Sequence, residues 1–201
     1  MRPAVATLFA VCAVAVAVFL AGLERGGPEA APAAAPDEAL PFEVGGPFAL
    51  VDHTGRPRTR ADFRGQYSIV YFGYTACPNT CSMTHATIAA ALDELAAGGD
   101  EVGALFITVD PEHDTPARLA DFVARVHPRL VGLTGGADEI ERVQRAYRIG
   151  ARQRAGAGGL ARLFEHSPMA YLMGPDGDIL TLFPPTLPPQ RLAAIVRGYL
   201  P

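Results

Sequence analysis

Lysine is absent from this chain, whose basic charge comes from 17 arginines set against 21 acidic residues. The formal net charge is −4, and no run of basic residues stands out along the sequence. Proteins that bind nucleic acid electrostatically carry a basic face, and a polybasic segment marks electrostatic binding to a membrane surface. The composition therefore argues against a nucleic-acid partner and against a polybasic membrane patch.

Cysteine is also scarce, with three residues in a chain of 201. That number is too small for a fold stapled together by disulfides. Cys12 lies in an apolar N-terminal stretch, whereas Cys77 and Cys81 form one close pair in the body of the chain. Such an isolated pair indicates redox chemistry or a metal site. Hydrophobic residues make up 49% of the chain, which is enough for a core.

The N-terminal segment is typical of a membrane anchor. Residues 4–23 carry no charge, and as a helix they would be about 30 Å long, the thickness of the hydrocarbon core of a bilayer. We therefore predict a single transmembrane helix within residues 1–23, with a cleaved signal peptide as the alternative. Arg2 before the run favours a cytoplasmic N-terminus. The rest of the chain would then face the periplasm from the cell inner membrane.

Residues 24–44 are rich in alanine and proline and predict a tether rather than a folded segment. A folded domain is predicted from residue 45 to residue 201, in which strand and helix patterns alternate. This order predicts a three-layer α/β fold with a mixed central sheet, as in thioredoxin-like proteins. The predicted strands are 48–51, 67–72, 104–109, 130–133, 169–173 and 179–183. The predicted helices are 80–97, one that starts at Pro116, 137–147 and 189–199, and residues 152–161 are predicted to be a loop.

The cysteine pair lies between the end of the strand 67–72 and the first turn of the helix 80–97. Sites in open α/β sheets lie at the carboxyl ends of strands, and a helix N-terminus favours a thiolate. Three residues separate Cys77 from Cys81, whereas a thioredoxin-type redox pair has two between its cysteines. On a helix this spacing holds the two Cβ atoms roughly 5–6 Å apart, which suits two sulfurs on one metal better than an unstrained disulfide. A disulfide remains open.

Two thiolates leave a metal ion under-coordinated, so a histidine is expected to complete the site. His166 directly precedes the strand 169–173, and in a thioredoxin-like fold that loop packs against the cysteine loop. His85 is its rival on spacing alone, because it lies four residues after Cys81 on the same helix face. Two thiolates and one imidazole suit copper better than zinc, whose closed structural sites have four protein ligands. The histidines expected to be solvated are His53 and His127.

Five motifs in order resemble those of the Sco/SenC family. Residues 73–81, GYTACPNTC, resemble its signature G-[YF]-T-x-C-P-x-x-C, and residues 109–116, VDPEHDTP, resemble V-D-P-x-R-D-T-P. The similarity runs from about residue 46 to residue 199, which is nearly the whole predicted domain. The remaining three motifs are GLTG at 132–135, the YRV-like segment 147–149 and the DH[ST]-like segment 165–167.

The resemblance implies a thioredoxin-like domain that binds one copper ion, as Cu(I) or Cu(II). Position by position, it implies that Cys77, Cys81 and His166 are the ligands, and it makes His85 a much weaker candidate. The acidic residue of the second motif is Asp110, which the resemblance places near the copper site. Two roles stay open for it: it hydrogen-bonds a ligand or a partner protein, or it stabilises the turn before Pro111.

The function implied by the resemblance is that of a copper chaperone. Its acceptor would be the binuclear copper centre in subunit II of cytochrome c oxidase, with another copper chaperone as the alternative partner. The alternative function is enzymatic: Cys77 attacks a disulfide of the oxidase and Cys81 resolves the mixed disulfide, so that the oxidase cysteines stay reduced. Copper binding requires His166, whereas a dithiol reductase does not.

The chain departs from the family pattern at several positions that are not ligands. His113 stands where the family usually has arginine, and Glu165 stands where it has aspartate before the histidine. Pro168 follows closely after His166, and it is a candidate for a cis proline like that of thioredoxins or for a simple edge residue. None of these departures removes a predicted ligand.

Overall fold

The computed structural model describes residues 43–77, 80–154 and 163–201, all within one compact unit. Its strands are β1 (Ala49–Asp52), β2 (Pro57–Thr59), β3 (Tyr67–Gly73), β4 (Val102–Thr108), β5 (Leu130–Thr134), β6 (Arg152–Arg154), β7 (Leu163–Glu165), β8 (Ala170–Met173) and β9 (Ile179–Phe183). Its helices are α1 (Thr80–Ala97), α2 (Pro116–Val126), α3 (Ala137–Ala146) and α4 (Pro189–Arg197), with a short 3₁₀ helix at Arg60–Phe63.

Seven of these strands form one mixed sheet in the spatial order β2-β1-β5-β4-β3-β8-β9. The three central strands β3, β4 and β5 run parallel, and antiparallel strands extend the sheet on both sides. Parallel strands covered on both faces read as nearly continuous apolar runs. The segments 67–73 and 102–108 have this character, so they lie at the middle of the sheet as predicted.

Alternation along β3 divides the core into two layers. Ile69 and Tyr71 pack on one face of the sheet, in a cluster with apolar residues of α1, α2 and α4. Val70 and Phe72 point to the other face and pack with Ile140 of α3. Successive side chains of a strand point to opposite faces, which produces this arrangement. The predicted three-layer α/β fold with a mixed central sheet is therefore confirmed.

Helix boundaries follow the local signals in the sequence. The helix α1 spans Thr80–Ala97 as predicted, and the chain then turns through Gly99 with a φ of +86°. The helix α2 begins at Pro116, and the hydroxyl of the preceding Thr115 accepts a hydrogen bond from the Arg118 amide at 3.4 Å. The threonine hydroxyl satisfies one exposed amide of the first turn, and proline has no N–H that needs a partner, so this helix start could be predicted from the sequence.

Two sequence-based expectations were wrong. The predicted loop 152–161 begins with the strand β6, which pairs antiparallel with β7 in a second, two-stranded sheet. The sequence Arg-Gln-Arg has no apolar alternation, so it carries no local strand signal. His127, expected to be solvated, is buried. The Arg129 amide donates to its Nδ1, and its Nε2 lies 3.3 Å from Asp93 Oδ1, so both ring nitrogens have partners.

Over residues 43–77, 80–154 and 163–201, no helix is long and apolar enough to cross a bilayer. The transmembrane helix predicted within residues 1–23 lies outside this part of the chain, as does the tether up to residue 42. Within the same described ranges there is no cis peptide bond, so Pro168 is a trans proline.

Candidate metal site

A cavity of about 270 Å³ lies where the loop after β3 meets α1 and the segment that follows β7. We call it the imidazole cavity because the side chains of two histidines, His85 and His166, line it. Cys77 lines it as well, so one thiol and two imidazoles share this cavity, with the carboxylate of Glu165 also in its lining. Tyr71 and Phe164 are among the other residues that line it.

The loop after β3 brings Cys77 to the cavity. Its first residue, Tyr74, is buried, and the Tyr74 carbonyl accepts a hydrogen bond from the Cys77 amide at 3.2 Å. This turn leaves Cys77 half-buried at the cavity wall. The loop follows the carboxyl end of a central parallel strand, which is where sites in open α/β sheets are found.

Asp114 ties this loop to the loop after β4. Its carboxylate accepts hydrogen bonds from the Thr75 amide at 3.0 Å and from the Thr75 hydroxyl at 2.6 Å. The Thr108 hydroxyl also donates to it, at 2.6 Å, and in turn accepts from the Asp110 amide at 2.9 Å. The Asp114 side chain is buried. Because charge-assisted hydrogen bonds are the strong ones, Asp114 fixes the position of the cysteine loop.

Sequence reasoning missed this role of Asp114, although the residue belongs to the motif at 109–116. The signal available was a carboxylate immediately before the Thr-Pro helix start, in a loop expected at the same sheet edge as the cysteine loop. A partner in Thr75 could not be inferred, since it depends on how the two loops approach each other.

The segment after β7 brings His166 to the same cavity. The Phe164 amide donates to the Tyr74 hydroxyl at 3.4 Å, and the rings of Tyr74 and His166 meet edge to face with centroids 6.4 Å apart. These contacts join the β6–β7 hairpin to the cysteine loop. The expectation that the loop before β8 packs against the cysteine loop is therefore confirmed.

The protonation of His166 follows from its surroundings. Its Nδ1 lies 3.0 Å from the Ser167 carbonyl oxygen, which can only accept, so Nδ1 carries the proton of this hydrogen bond. In the neutral ring the lone pair then resides on Nε2. Burial lowers the pKa of His166, and the bond to Ser167 opposes that shift only in part. His166 is thus held as a neutral imidazole, which is the form that binds metals.

His85 enters the cavity from α1 and sits among aromatic rings. Its ring centroid lies 5.3 Å from that of Tyr71, 5.7 Å from that of Phe106 and 4.7 Å from that of Phe122. Burial lowers the pKa of His85 to about 4, with a smaller contribution from His166. Its Nε2 atom is buried and has no hydrogen-bond partner among the described residues. His85 is thus a second neutral imidazole on the same cavity.

Asp110 is buried beside the cysteine loop but does not line the imidazole cavity. Its carbonyl oxygen forms the turn, accepting from the amides of His113 and Asp114 at 3.1 and 2.9 Å. Its carboxylate Oδ1 lies 3.4 Å from Nδ1 of His113. Together with Phe164 it lines a smaller neighbouring cavity of about 170 Å³. Asp110 therefore belongs to the turn and to an adjacent surface.

Of the predicted ligands, the structure brings Cys77 and His166 to one cavity. Cys81 is the second residue of α1, and its side chain lies outside what the structure describes. Among the side chains that are described, no three of histidine, cysteine, aspartate or glutamate lie close enough together to hold a metal ion. The complete set of Cys77, Cys81 and His166 therefore remains a prediction.

Comparison with known proteins identifies relatives of this domain. A model of the SCO1/SenC family matches residues 36–201. The chain is 39% identical over 157 residues to the mitochondrial SCO2 homolog of Bos taurus and 35% identical over 159 residues to the mitochondrial SCO1 homolog of Homo sapiens. These matches cover 77% and 78% of this chain but only 59% and 53% of the two relatives, so the chain spans little more than half of their length.

A solved structure of a member of the same family has a similar fold. The crystal structure of Arabidopsis thaliana ScoI with copper bound superimposes with a TM-score of 0.74 and 34% sequence identity. The match covers 77% of this chain and 97% of that chain. The similarity confirms that the domain has the thioredoxin-like fold expected from its motifs.

Proposed function

This chain belongs to the SCO1/SenC family, and from that premise we propose that it carries copper to the copper centre of cytochrome c oxidase. Cys77, Cys81 and His166 hold the ion, which is cargo to be taken up and released. The observation that carries the proposal is the imidazole cavity, which Cys77 and His166 line together. The copper-bound structure of the related Arabidopsis protein supports the choice of metal.

The donor atoms at this cavity fit copper. His166 is neutral with its lone pair on Nε2, so binding requires no proton loss from the imidazole. Cys77 lies shortly before the N-terminus of α1, where the exposed amides and the helix dipole favour a thiolate. Two soft thiolates with one imidazole match the preference of copper rather than that of magnesium or calcium.

The same arrangement allows release. Cys77 and His166 are both half-buried, so a donor group of a partner protein can reach an ion bound between them. With three ligands from this chain, a thiolate or imidazole of the partner enters as the next ligand, and copper passes by ligand exchange. If the predicted N-terminal anchor holds the domain at the inner membrane, facing the periplasm, it raises the effective concentration near subunit II of the oxidase.

An anaerobic Cu(I) titration of the reduced full-length chain in detergent, against a competing chelator, tests the proposal. We expect one tight site, and we expect His166→Ala to weaken it by about 100-fold or more, since even the groups that support a metal ligand are typically worth 10–100-fold. His127→Asn is the matched control, because His127 is also a buried histidine but does not line the cavity.

Two outcomes would contradict copper delivery: the absence of competitive binding, or a site indifferent to His166→Ala. Either result would favour the thiol-disulfide reductase, in which Cys77 attacks a partner disulfide and Cys81 resolves it. In that function His166 has no ligand role, and reduction of a disulfide in the oxidase subunit would survive its replacement.

A further inference from the structure

One side chain of the imidazole cavity has no task in the proposed ligand set. His85 is 8% exposed, lines the cavity together with Cys77 and His166, and has no hydrogen-bond partner at Nε2 among the described residues. Buried polar side-chain atoms in folded proteins nearly always have a partner. His85 thus carries an unsatisfied buried nitrogen on a side chain that lines a cavity, and this combination points to a ligand.

Packing alone does not account for a histidine at this position. Its neighbours Tyr71, Phe106 and Phe122 contact it with their rings. An apolar side chain of similar size would fill the same space without leaving a buried nitrogen unsatisfied. The unsatisfied imidazole therefore lowers the folding stability, and a bound ion would offset this loss.

The helix α1 adds a second observation. Cys81 and His85 are four residues apart on it, so the two positions fall on the same helix face. Pairs of metal ligands on one helix use this spacing, as the two histidines of the H-E-x-x-H zinc motif do. His85 thus shares a cavity with Cys77 and His166 and shares a helix face with the position of Cys81.

We propose that His85 is a fourth copper ligand of this chain, binding through Nε2 together with Cys77, Cys81 and His166 when the ion is Cu(II). The inference rests on the proposed function and extends it to the oxidation state. Cu(II) favours four ligands in a tetragonal arrangement with nitrogen donors, whereas soft thiolates alone suit Cu(I). His85 therefore stabilises the oxidised ion selectively.

Binding in this mode requires the side chains to draw together. As they stand, no three potential ligands among the described side chains are placed to hold an ion. Cys77 and His166 are both half-buried on loop segments that flank the cavity, whereas His85 is held on a helix by three rings. The loop residues are therefore expected to close onto His85, with His85 as the fixed inner ligand.

Pulsed EPR on the full-length chain in detergent, loaded with Cu(II), counts the coordinated imidazoles directly. We expect two in the wild-type protein, one in His85→Leu and one in His166→Ala, with histidine labelled with ¹⁵N to assign the couplings. His127→Asn is the control and should retain two. We also expect His85→Leu to weaken Cu(II) binding by about 10–100-fold while changing Cu(I) affinity by less than about threefold.

The wild-type count requires no variant, so it stands even if a substitution impairs folding. A single imidazole in the wild-type protein would overturn the proposal, as would an unchanged count in a folded His85→Leu variant or the absence of Cu(II) binding. Each of these results leaves copper delivery intact if Cu(I) binding still depends on His166. Conversely, Cu(I) binding that does not depend on His166, measured separately by the chelator titration, would contradict the proposed function.

Discussion

Two buried polar regions of this domain are built in opposite ways. In the first, the carboxylate of Asp52 accepts hydrogen bonds from Thr54, Arg56 and Arg58, all within six residues; we call it the Asp52 turn. In the second, the imidazole cavity, His85 is surrounded by aromatic rings and its Nε2 has no partner among the described residues. A satisfied polar group serves the fold, whereas an unsatisfied one on a cavity is available to a ligand.

The two regions also treat charge differently. Burial by itself would raise the pKa of Asp52, but the hydrogen bonds from Thr54, Arg58 and Arg56 overcome it and hold the pKa far below its usual value. Burial lowers the pKa of His85 to about 4, with no hydrogen bond to oppose it. The Asp52 carboxylate therefore stays charged, and its hydrogen bonds stabilise the fold. In the cavity, burial keeps His85 and His166 neutral, so that each imidazole has a lone pair available for a ligand.

Asp114 is a fully hydrogen-bonded buried carboxylate, like Asp52, but it also holds the cysteine loop at the cavity. Its removal should have the largest effect on stability. Asp114→Ala leaves the Thr75 amide and the hydroxyls of Thr75 and Thr108 without their acceptor. Because unsatisfied buried donors cost roughly 1–3 kcal/mol each, we expect a loss of about 4 kcal/mol of unfolding free energy in a urea titration. Cu(I) affinity should fall as well, since the cysteine loop loses its anchor.

The control for that variant is Asp178→Ala, since the Asp178 side chain is exposed and lies 3.8 Å from Arg60. It should change stability by less than about 1 kcal/mol, as expected for a surface pair. If Asp114→Ala reduced stability but left Cu(I) affinity unchanged in the folded fraction, the anchoring role of Asp114 would be disproved.

Asp52→Ala should separate stability from metal binding. The substitution removes the acceptor of the Asp52 turn, and we expect a loss of about 3 kcal/mol of unfolding free energy, measured by urea unfolding at pH 7. Cu(I) affinity should stay within about threefold of wild type, because the turn does not contribute to the cavity lining. A large loss of copper affinity in the folded variant would show that the two regions are coupled.

The smallest expected effect is a change in the pH profile of stability at His85. Its folded pKa of about 4 lies below the usual histidine value of 6.5, so the unfolded chain binds more protons between these two values. Stability contributed by the neutral ring is therefore present above pH 6.5 and lost as the pH falls towards 4. Relative to His85→Leu, the wild-type protein should lose about 2 kcal/mol between pH 7.5 and pH 5.

Urea unfolding of both proteins across this pH range, without copper, checks the prediction. His166 also has a lowered pKa and adds a loss of the same sign in both proteins, so most of its contribution cancels in the difference; the part that remains is its smaller electrostatic interaction with His85. Parallel profiles for wild type and His85→Leu would mean that His85 titrates normally and is not buried as neutral imidazole.

Much of the fold could be predicted because its signals are local. The helix α1 was predicted with its observed ends, Thr80–Ala97, since apolar spacing and the glycines that follow it mark a helix without reference to other segments. The strand β3 was predicted from a continuous apolar run. The strand β6, by contrast, was missed, because Arg152–Arg154 is polar and becomes a strand only by pairing with β7.

In the candidate site, too, features with local sequence signals could be predicted, and features that depend on distant segments could not. That Cys77 lies in a strand-to-helix loop, and that His166 precedes the strand β8, followed from patterns in the sequence. The burial of His127 and the hydrogen bonds that Asp114 accepts from Thr75 did not, because each depends on a residue from another segment. Spacing alone made His85 and His166 rivals, and the family resemblance favoured His166, whereas the structure places both on one cavity.

The sequence by itself determined the alternation of strands and helices and the position of the cysteine pair at the start of α1. These depend on periodicity, capping and turn residues within a few positions of one another. Only the tertiary structure decided which side chains meet around the cavity and which of them lose their charge. Burial and hydrogen bonding are set by the packing of α1, the cysteine loop and the β6–β7 hairpin, and no local pattern encodes that packing.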